Sequence, residues 1–150
     1  MSQTILNPAA AATSTGGRTS RPQHLLVRLA AAAALGVTSA AHIPVAVDHL
    51  SEVPYLGWAF CAFIVLTAAG AGSLLVEDRR WVWRTMGALN AAAVLVFVTS
   101  RVVGLPGASD DRGAWTDPSA RVALAAEFLV VVLTAWVLRP ERETPPPASR

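Results

Sequence analysis

The stretch Pro54–Val76, PYLGWAFCAFIVLTAAGAGSLLV, decides the fold because it contains no charged residue. A bilayer core of ~30 Å needs about 20 apolar residues of helix, so this stretch alone is long enough to cross a membrane. Pro54 suits a first helical turn, where its missing N–H removes no ladder hydrogen bond. Tyr55 and Trp58 fall at the depth of an interfacial aromatic belt. The stretch therefore predicts a transmembrane helix.

Three further apolar blocks of spanning length accompany this one. The predicted spans are about 25–47, 54–76, 81–103 and 118–138. Asp117-Pro118 marks the start of the last span, because an N-cap residue precedes a proline at the first helical position. The chain is 53% hydrophobic and only 15% charged, whereas an average soluble domain is about a quarter charged. We therefore predict an all-α fold, a polytopic membrane protein with a four-transmembrane-helix bundle over residues 24–139.

Both ends of the chain read as polar tails. Residues 1–23 are rich in Ser, Thr, Ala and Gly and have no apolar period, so we expect a disordered tail. Residues 140–150 contain a proline run that cannot continue a helix.

Arginines gather on both tails and in the 77–84 connection, and the connection between the first two spans has none. The positive-inside rule then places both termini in the cytoplasm, in a multi-pass protein of the plasma membrane.

A cleaved signal peptide is the alternative for the first span. Arg18 and Arg21 precede an apolar stretch that ends in the small residues of 39–41, and cleavage after Ala41 would leave three spans. Retention is favoured because Arg28 interrupts the stretch and apolar residues resume at Ile43.

Glu127 is the ionisable residue predicted to lie deepest in the membrane. It follows the start of its span by nine residues, or ~13 Å, which is near the midplane. Its candidate partners are His42, Arg101 and Asn90, and together the four predict one buried polar cluster. Intramembrane acids are functional by default, so the cluster suggests an outward-facing proton, ion or ligand site. The alternative is an interaction that fixes helix packing, or a glutamate kept protonated by desolvation.

The connection between spans one and two carries possible metal ligands. His42, His49 and Glu52 are of the types that bind zinc or copper. The two histidines share a helical face only if the helix continues through Pro44, which requires a kink. The alternative is interfacial histidines and capping carboxylates. Copper or zinc is the only cofactor suggested.

The sequence lacks the motifs and residue patterns of several functional classes. The chain has no Gly-x-Ser-x-Gly, His-Glu-x-x-His, Walker or Cys-x-x-Cys motif, so we expect no enzymatic activity. All twelve basic residues are arginines, and none forms a patch interleaved with aromatics, so no nucleic-acid partner is expected. The single cysteine, Cys61, lies in an apolar block and forms no disulfide framework.

Two outer-loop motifs carry a resemblance to a known group. His42-Ile-Pro is followed by His49-Leu-x-Glu-x-Pro-Tyr-x-Gly57 and by Ser100-Arg-x-x-Gly-Leu-Pro106. With the acidic loop and Glu127 that follow, the pattern resembles a family of uncharacterised actinobacterial four-helix integral membrane proteins. The resemblance implies the same topology and an outward-facing site, without implying an activity. The position after Ser-Arg is often Thr in that group, and Val102 here removes a possible hydroxyl ligand.

The sequence therefore predicts a non-enzymatic membrane protein, a small binding, transport-accessory or assembly component. The alternative is a metal- or redox-handling membrane protein that uses the outer histidines and carboxylates. Besides the lipid bilayer, we expect a second copy or another membrane protein as partner, because small residues such as Gly36 and Ala40 recur along span one.

Overall fold

Four long helices dominate the part of the protein that the structure describes. The computed structural model describes residues 21–140, and its helices are α1 (Arg21–Glu52), α2 (Pro54–Val76), α3 (Arg80–Val102) and α4 (Pro118–Val137). A short 3-10 helix, Ser109–Asp111, lies between α3 and α4. All four long helices are apolar and long enough to cross a membrane. The predicted all-α bundle of four transmembrane helices is confirmed.

The first helix differs from its prediction at both ends. Span one was expected over about 25–47, but α1 runs from Arg21 to Glu52 and passes through Pro44. A proline removes only its own bond to the carbonyl four residues earlier, so the flanking ladder can continue the helix. The polar residues near its end also fit a helix, since His49 Nδ1 lies 3.0 Å from the carbonyl oxygen of Val45. Most of both predicted tails, residues 1–20 and 141–150, lies outside the described residues.

A single residue, Val53, connects α1 to α2, and the two helices then run closely together. The close approach depends on Gly57. A Cβ atom at that position would lie 2.6 Å from the backbone N and Cα of Leu50. The α1–α2 hairpin therefore requires glycine there. We call the hairpin's end of the bundle the outer end, and the opposite end, with the α2–α3 connection, the inner end.

The helices are arranged with α1 in the middle. It packs along α2 on one side and α4 on the other, and α3 packs along α4. By contrast, α2 and α3 touch over only a short stretch, although they are consecutive in sequence. An apolar core in the inner half joins all four helices through the buried residues Ala31, Leu35, Leu74, Trp83, Met86 and Val130.

Large apolar side chains cover the outside of the bundle. Val76 is 80% exposed, Trp58 70% and Val65 66%. Exposed apolar surface on this scale is costly in water and expected in a lipid bilayer.

Polar contacts fasten the inner end. Arg28 donates to the carbonyl oxygen of Leu74 at 2.9 Å, which satisfies a carbonyl in the last turn of α2. Asp78 accepts a hydrogen bond from Trp83 Nε1 at 2.8 Å and lies 3.1 Å from His24 Nδ1. These contacts tie the start of α1 to the end of α2 and the start of α3.

The outer end is closed by the α3–α4 loop. Tyr55 of α2 donates to the carbonyl oxygen of Pro106 at 2.6 Å. Asp117 caps α4 as predicted, accepting from the backbone N–H of Ser119 at 2.9 Å and from its hydroxyl at 2.8 Å. The Ser119 hydroxyl, and then the backbone N–H, hold the pKa of Asp117 below its usual range.

Candidate functional site

A carboxyl group is buried inside the bundle at Glu127. The residue lies on the buried face of α4, together with Ala123, Ala126, Val130 and Thr134. It is only 3% exposed. Nine residues, ~13 Å of helix, separate it from the start of α4, so it lies near the middle of a ~30 Å hydrocarbon core. The predicted burial of Glu127 therefore agrees with the structure.

His42 of α1 is the partner of Glu127. Its Nε2 atom lies 3.4 Å from Glu127 Oε1, and the two side chains are 12% and 4% exposed. Phe60 and Phe63 of α2 enclose the imidazole, with ring centroids 5.5 and 5.0 Å away. The pair thus joins α1 to α4 inside a largely apolar enclosure. Sequence reasoning placed both residues near one another and missed the two phenylalanines, which lie on one helical face three residues apart.

The hydrogen bonds of His42 fix how protons can be distributed in the pair. Its Nδ1 atom lies 2.8 Å from the carbonyl oxygen of Thr38, which can only accept. Nδ1 therefore carries a hydrogen, and Nε2 is left facing Glu127. One proton on either Nε2 or the carboxyl makes the pair neutral, a second makes it positive, and its loss makes it negative. The site is thus a place where one proton decides the buried charge.

Two more polar oxygens are buried further inward. Thr38 and Asn90 are both 0% exposed. Asn90 donates from Nδ2 to the carbonyl oxygen of Met86 at 2.8 Å. Neither Asn90 Oδ1 nor Thr38 Oγ1 has a hydrogen-bond partner among residues 21–140.

The positions of these oxygens along the bundle axis can be estimated from their residue positions in the helices. Thr38 precedes His42 by four residues, about 6 Å toward the inner end. Asn90 follows Gly87 by three residues, and a Cβ at Gly87 would lie 2.5 Å from the Thr134 side chain. Since Thr134 is seven residues inward of Glu127 on α4, Asn90 lies about one turn inward of the pair. Asn90 is buried, but no hydrogen bond joins it to Glu127 within residues 21–140, so its place in the predicted cluster stays a prediction.

Arg101 also has a different partner from the one expected. Its NH1 atom lies 2.9 Å from Asp111 Oδ1 and donates to the Asp111 carbonyl oxygen at 3.1 Å. The guanidinium lies 4.9 Å from the centre of the Phe97 ring. The predicted cluster of His42, Arg101 and Glu127 is therefore wrong for Arg101. Positive-φ glycines at 104 and 107 turn the chain back after α3. The loop then places Asp111 next to Arg101, and the guanidinium is paired there, at the outer end of the bundle.

The predicted metal ligands do not gather. His42 and His49 do share one face of α1, and both contact Phe60. However, each uses Nδ1 on a backbone carbonyl, and Glu52 is exposed at the helix end. No group of three His, Cys, Asp or Glu side chains that could hold a metal ion occurs within residues 21–140.

No known protein family, curated protein or solved structure matches the chain. The resemblance to the actinobacterial group stays a prediction.

Proposed function

We propose that this protein is a non-enzymatic, multi-pass component of the plasma membrane that binds and releases a proton at the His42–Glu127 pair. The observation that carries the proposal is the 3.4 Å approach of His42 Nε2 to Glu127 Oε1 between two helices, with only 12% and 4% of the two side chains exposed. Ionisable groups at membrane depth are costly and usually mark proton or ion pathways. The pair has the geometry to hold one proton.

The proton is proposed to exchange with the outer side. Inward of the pair, the buried side chains Leu35, Leu74 and Val130 are each 0% exposed and close the bundle. Outward of it, α1 continues through His49, whose ring packs 5.4 Å from Phe60. The buried polar side chains of Thr38 and Asn90 also lie inward of the pair, but they are 0% exposed and give no path to the inner end.

A change of charge in the pair would act on the contact between α1 and α4. A neutral pair needs no further counter-ion, whereas a charged pair needs a partner or water in a low-dielectric site. Proton binding would thus favour one arrangement of the two helices over another. A response of this kind suits a small accessory or assembly component that reports outer pH to a second copy or to another membrane protein.

Infrared spectroscopy tests the proton site directly, because a protonated carboxyl group and a carboxylate absorb at different frequencies. We expect a carboxyl signal that changes with pH while the protein stays folded, and that is absent from Glu127→Gln. Glu77→Gln is the matched control, because Glu77 is 45% exposed at the inner end. A Glu127 signal that stays constant over the whole folded range would reject the proposal and leave the pair as a packing contact.

Orientation is tested separately by cysteine labelling. Ser109 lies in the outer loop and is exposed, so Ser109→Cys in a Cys61→Ala background should react with an impermeant reagent on intact cells. Ser14→Cys and Ser149→Cys should react only after permeabilisation, as the arginine distribution predicts. Labelling of position 14 on intact cells would contradict the orientation with both termini cytoplasmic.

A further inference from the structure

A groove opens between α2 and α3 at the inner end of the bundle. The two helices are joined by the three residues 77–79 and contact each other over only a short stretch, partly through Met86 against Gly70. The lining of the groove comes from α2, α3 and their connection, and no residue of α1 or α4 contributes to it. The groove has a volume of about 500 Å³.

The lining of this α2–α3 groove is apolar along the helices and charged at the connection, where Glu77 and Arg79 form an ion pair. Gly72, Val76 and Val82 line its apolar part, and Trp81 and Arg79 line the end at the membrane surface. A Cβ added at Gly72 would meet nothing within 4 Å, so the glycine leaves open space. Trp81 is 60% exposed, as expected for a side chain of the interfacial belt. The groove therefore covers about one turn, ~6 Å, at the end of α2, next to the charged connection.

The charges near the mouth favour an anion. The two acids of the connection are already engaged, Glu77 in an ion pair with Arg79 and Asp78 with Trp83 and His24. Arg80 and Arg84 follow on the first two turns of α3 and are exposed. An arginine guanidinium has five N–H donors, so Arg79 can serve Glu77 and a phosphate together.

We propose that the α2–α3 groove is a binding site for one anionic phospholipid, with an acyl chain along Gly72 and the phosphate at Arg79. Basic sites between transmembrane helices commonly bind acidic headgroups in this way. A neutral lipid would fill the apolar part equally well but would gain nothing from Arg79. A helix of a second copy is less suited to the groove, because its wall ends in the charged connection at the membrane surface.

Native mass spectrometry of the detergent-purified full chain tests the proposal, with phosphatidylglycerol compared against phosphatidylcholine of the same chains. We expect one phosphatidylglycerol to bind more tightly than phosphatidylcholine. Gly72→Leu should abolish this preference, because the new side chain occupies the groove. Gly36→Leu is the matched control, since Gly36 on α1 also has nothing within 4 Å and lies outside the groove. Both variants should fold, because leucine has the higher helix propensity.

Charge variants test the headgroup contact. Arg79→Ala should weaken phosphatidylglycerol binding about fivefold, from the ~1 kcal/mol that one arginine contributes near a membrane surface. Arg139→Ala removes the same charge from the same end of the bundle and should weaken phosphatidylglycerol binding less than Arg79→Ala does. Glu77→Gln should strengthen binding, because it releases Arg79 from its ion pair. Equal binding of the two lipids, or equal losses in Arg79→Ala and Arg139→Ala, would overturn the proposal. The proposal would also be overturned if the protein forms a dimer and Gly72→Leu dissociates that dimer in the presence of either lipid.

Discussion

A double-mutant cycle between His42 and Glu127 measures how strongly the buried pair couples α1 to α4. Glu127→Gln keeps the size of the side chain and a donor for Nε2, while it removes the titratable group. His42→Asn keeps a donor for the Thr38 carbonyl and removes Nε2. Glu127→Gln thus exchanges the carboxyl of the 3.4 Å contact for an amide, and His42→Asn removes the imidazole. His42→Asn also loses the ring contacts to Phe60 and Phe63, but that loss occurs in both variants that carry the change and cancels in the cycle.

The distance sets an upper limit on the coupling energy. Two opposite unit charges 3.4 Å apart attract by about 5 kcal/mol at an effective dielectric constant of about 20. Desolvation offsets much of this attraction for a buried ion pair. If the proton is on the carboxyl instead, the hydrogen bond between the two uncharged groups contributes only about 0.5–1.5 kcal/mol. We therefore expect a coupling energy of about 1–3 kcal/mol, within the range for residues in contact.

The assay is unfolding of the purified protein in mixed micelles, followed by the circular dichroism of the helices. The control cycle pairs Glu127→Gln with Arg101→Gln. Because Arg101 is bonded to Asp111 and packs on Phe97, its change should add to that of Glu127 within about 0.5 kcal/mol. A larger coupling to Arg101 than to His42 would refute the assignment of the pair.

Two further predictions concern the bundle itself. Gly57→Ala should destabilise the protein by about 1–3 kcal/mol, because its Cβ would lie 2.6 Å from the backbone of Leu50. Gly36→Ala meets nothing within 4 Å and should be neutral or stabilising by up to about 1 kcal/mol in the same unfolding assay. Asp117→Ala should cost about 0.5–2 kcal/mol through loss of the N-cap. Because the pKa of Asp117 is lowered in the folded state, this cap should stabilise above the carboxyl's ordinary pKa and be lost as pH falls through the lowered one. Unfolding curves that differ between the wild type and Asp117→Ala by the same amount at every pH would contradict this.

The ends of three helices could be predicted from the sequence because each has a local signal. Asp117-Pro118 starts α4, Pro54 starts α2, and the charged 77–79 connection separates α2 from α3. The first helix lacked such a signal. Pro44 and the polar residues after it are typical of a loop, yet packing of α1 against α2 and α4 carries the helix through to Glu52.

The sequence limits the candidate partners of Glu127 to a few residues, but it does not identify which of them contacts the carboxyl group. Depth along each span admitted His42, Arg101 and Asn90, since all three can lie in the outer or central part of the membrane. The choice depends on which helices are neighbours and on where the α3–α4 loop returns. Packing of α1 against α4 brings His42 to Glu127, and the loop gives Arg101 to Asp111. Neither fact has a signature in residue spacing.

The order in which the helices pack, α2 on α1, α1 on α4 and α4 on α3, is the background to both proposed sites. Since α1 lies between α2 and α4, the histidine of one helix meets the carboxyl of another in the outer half of the bundle. The third helix packs on α4 rather than on α1 and meets α2 only over a short stretch, and the groove lies beside their connection at the inner end. Arg28, on the same helix as His42, donates to the carbonyl oxygens of Leu74 and Leu75 beside the groove. The helix that carries His42 is therefore also hydrogen-bonded to the end of α2, beside the proposed lipid site.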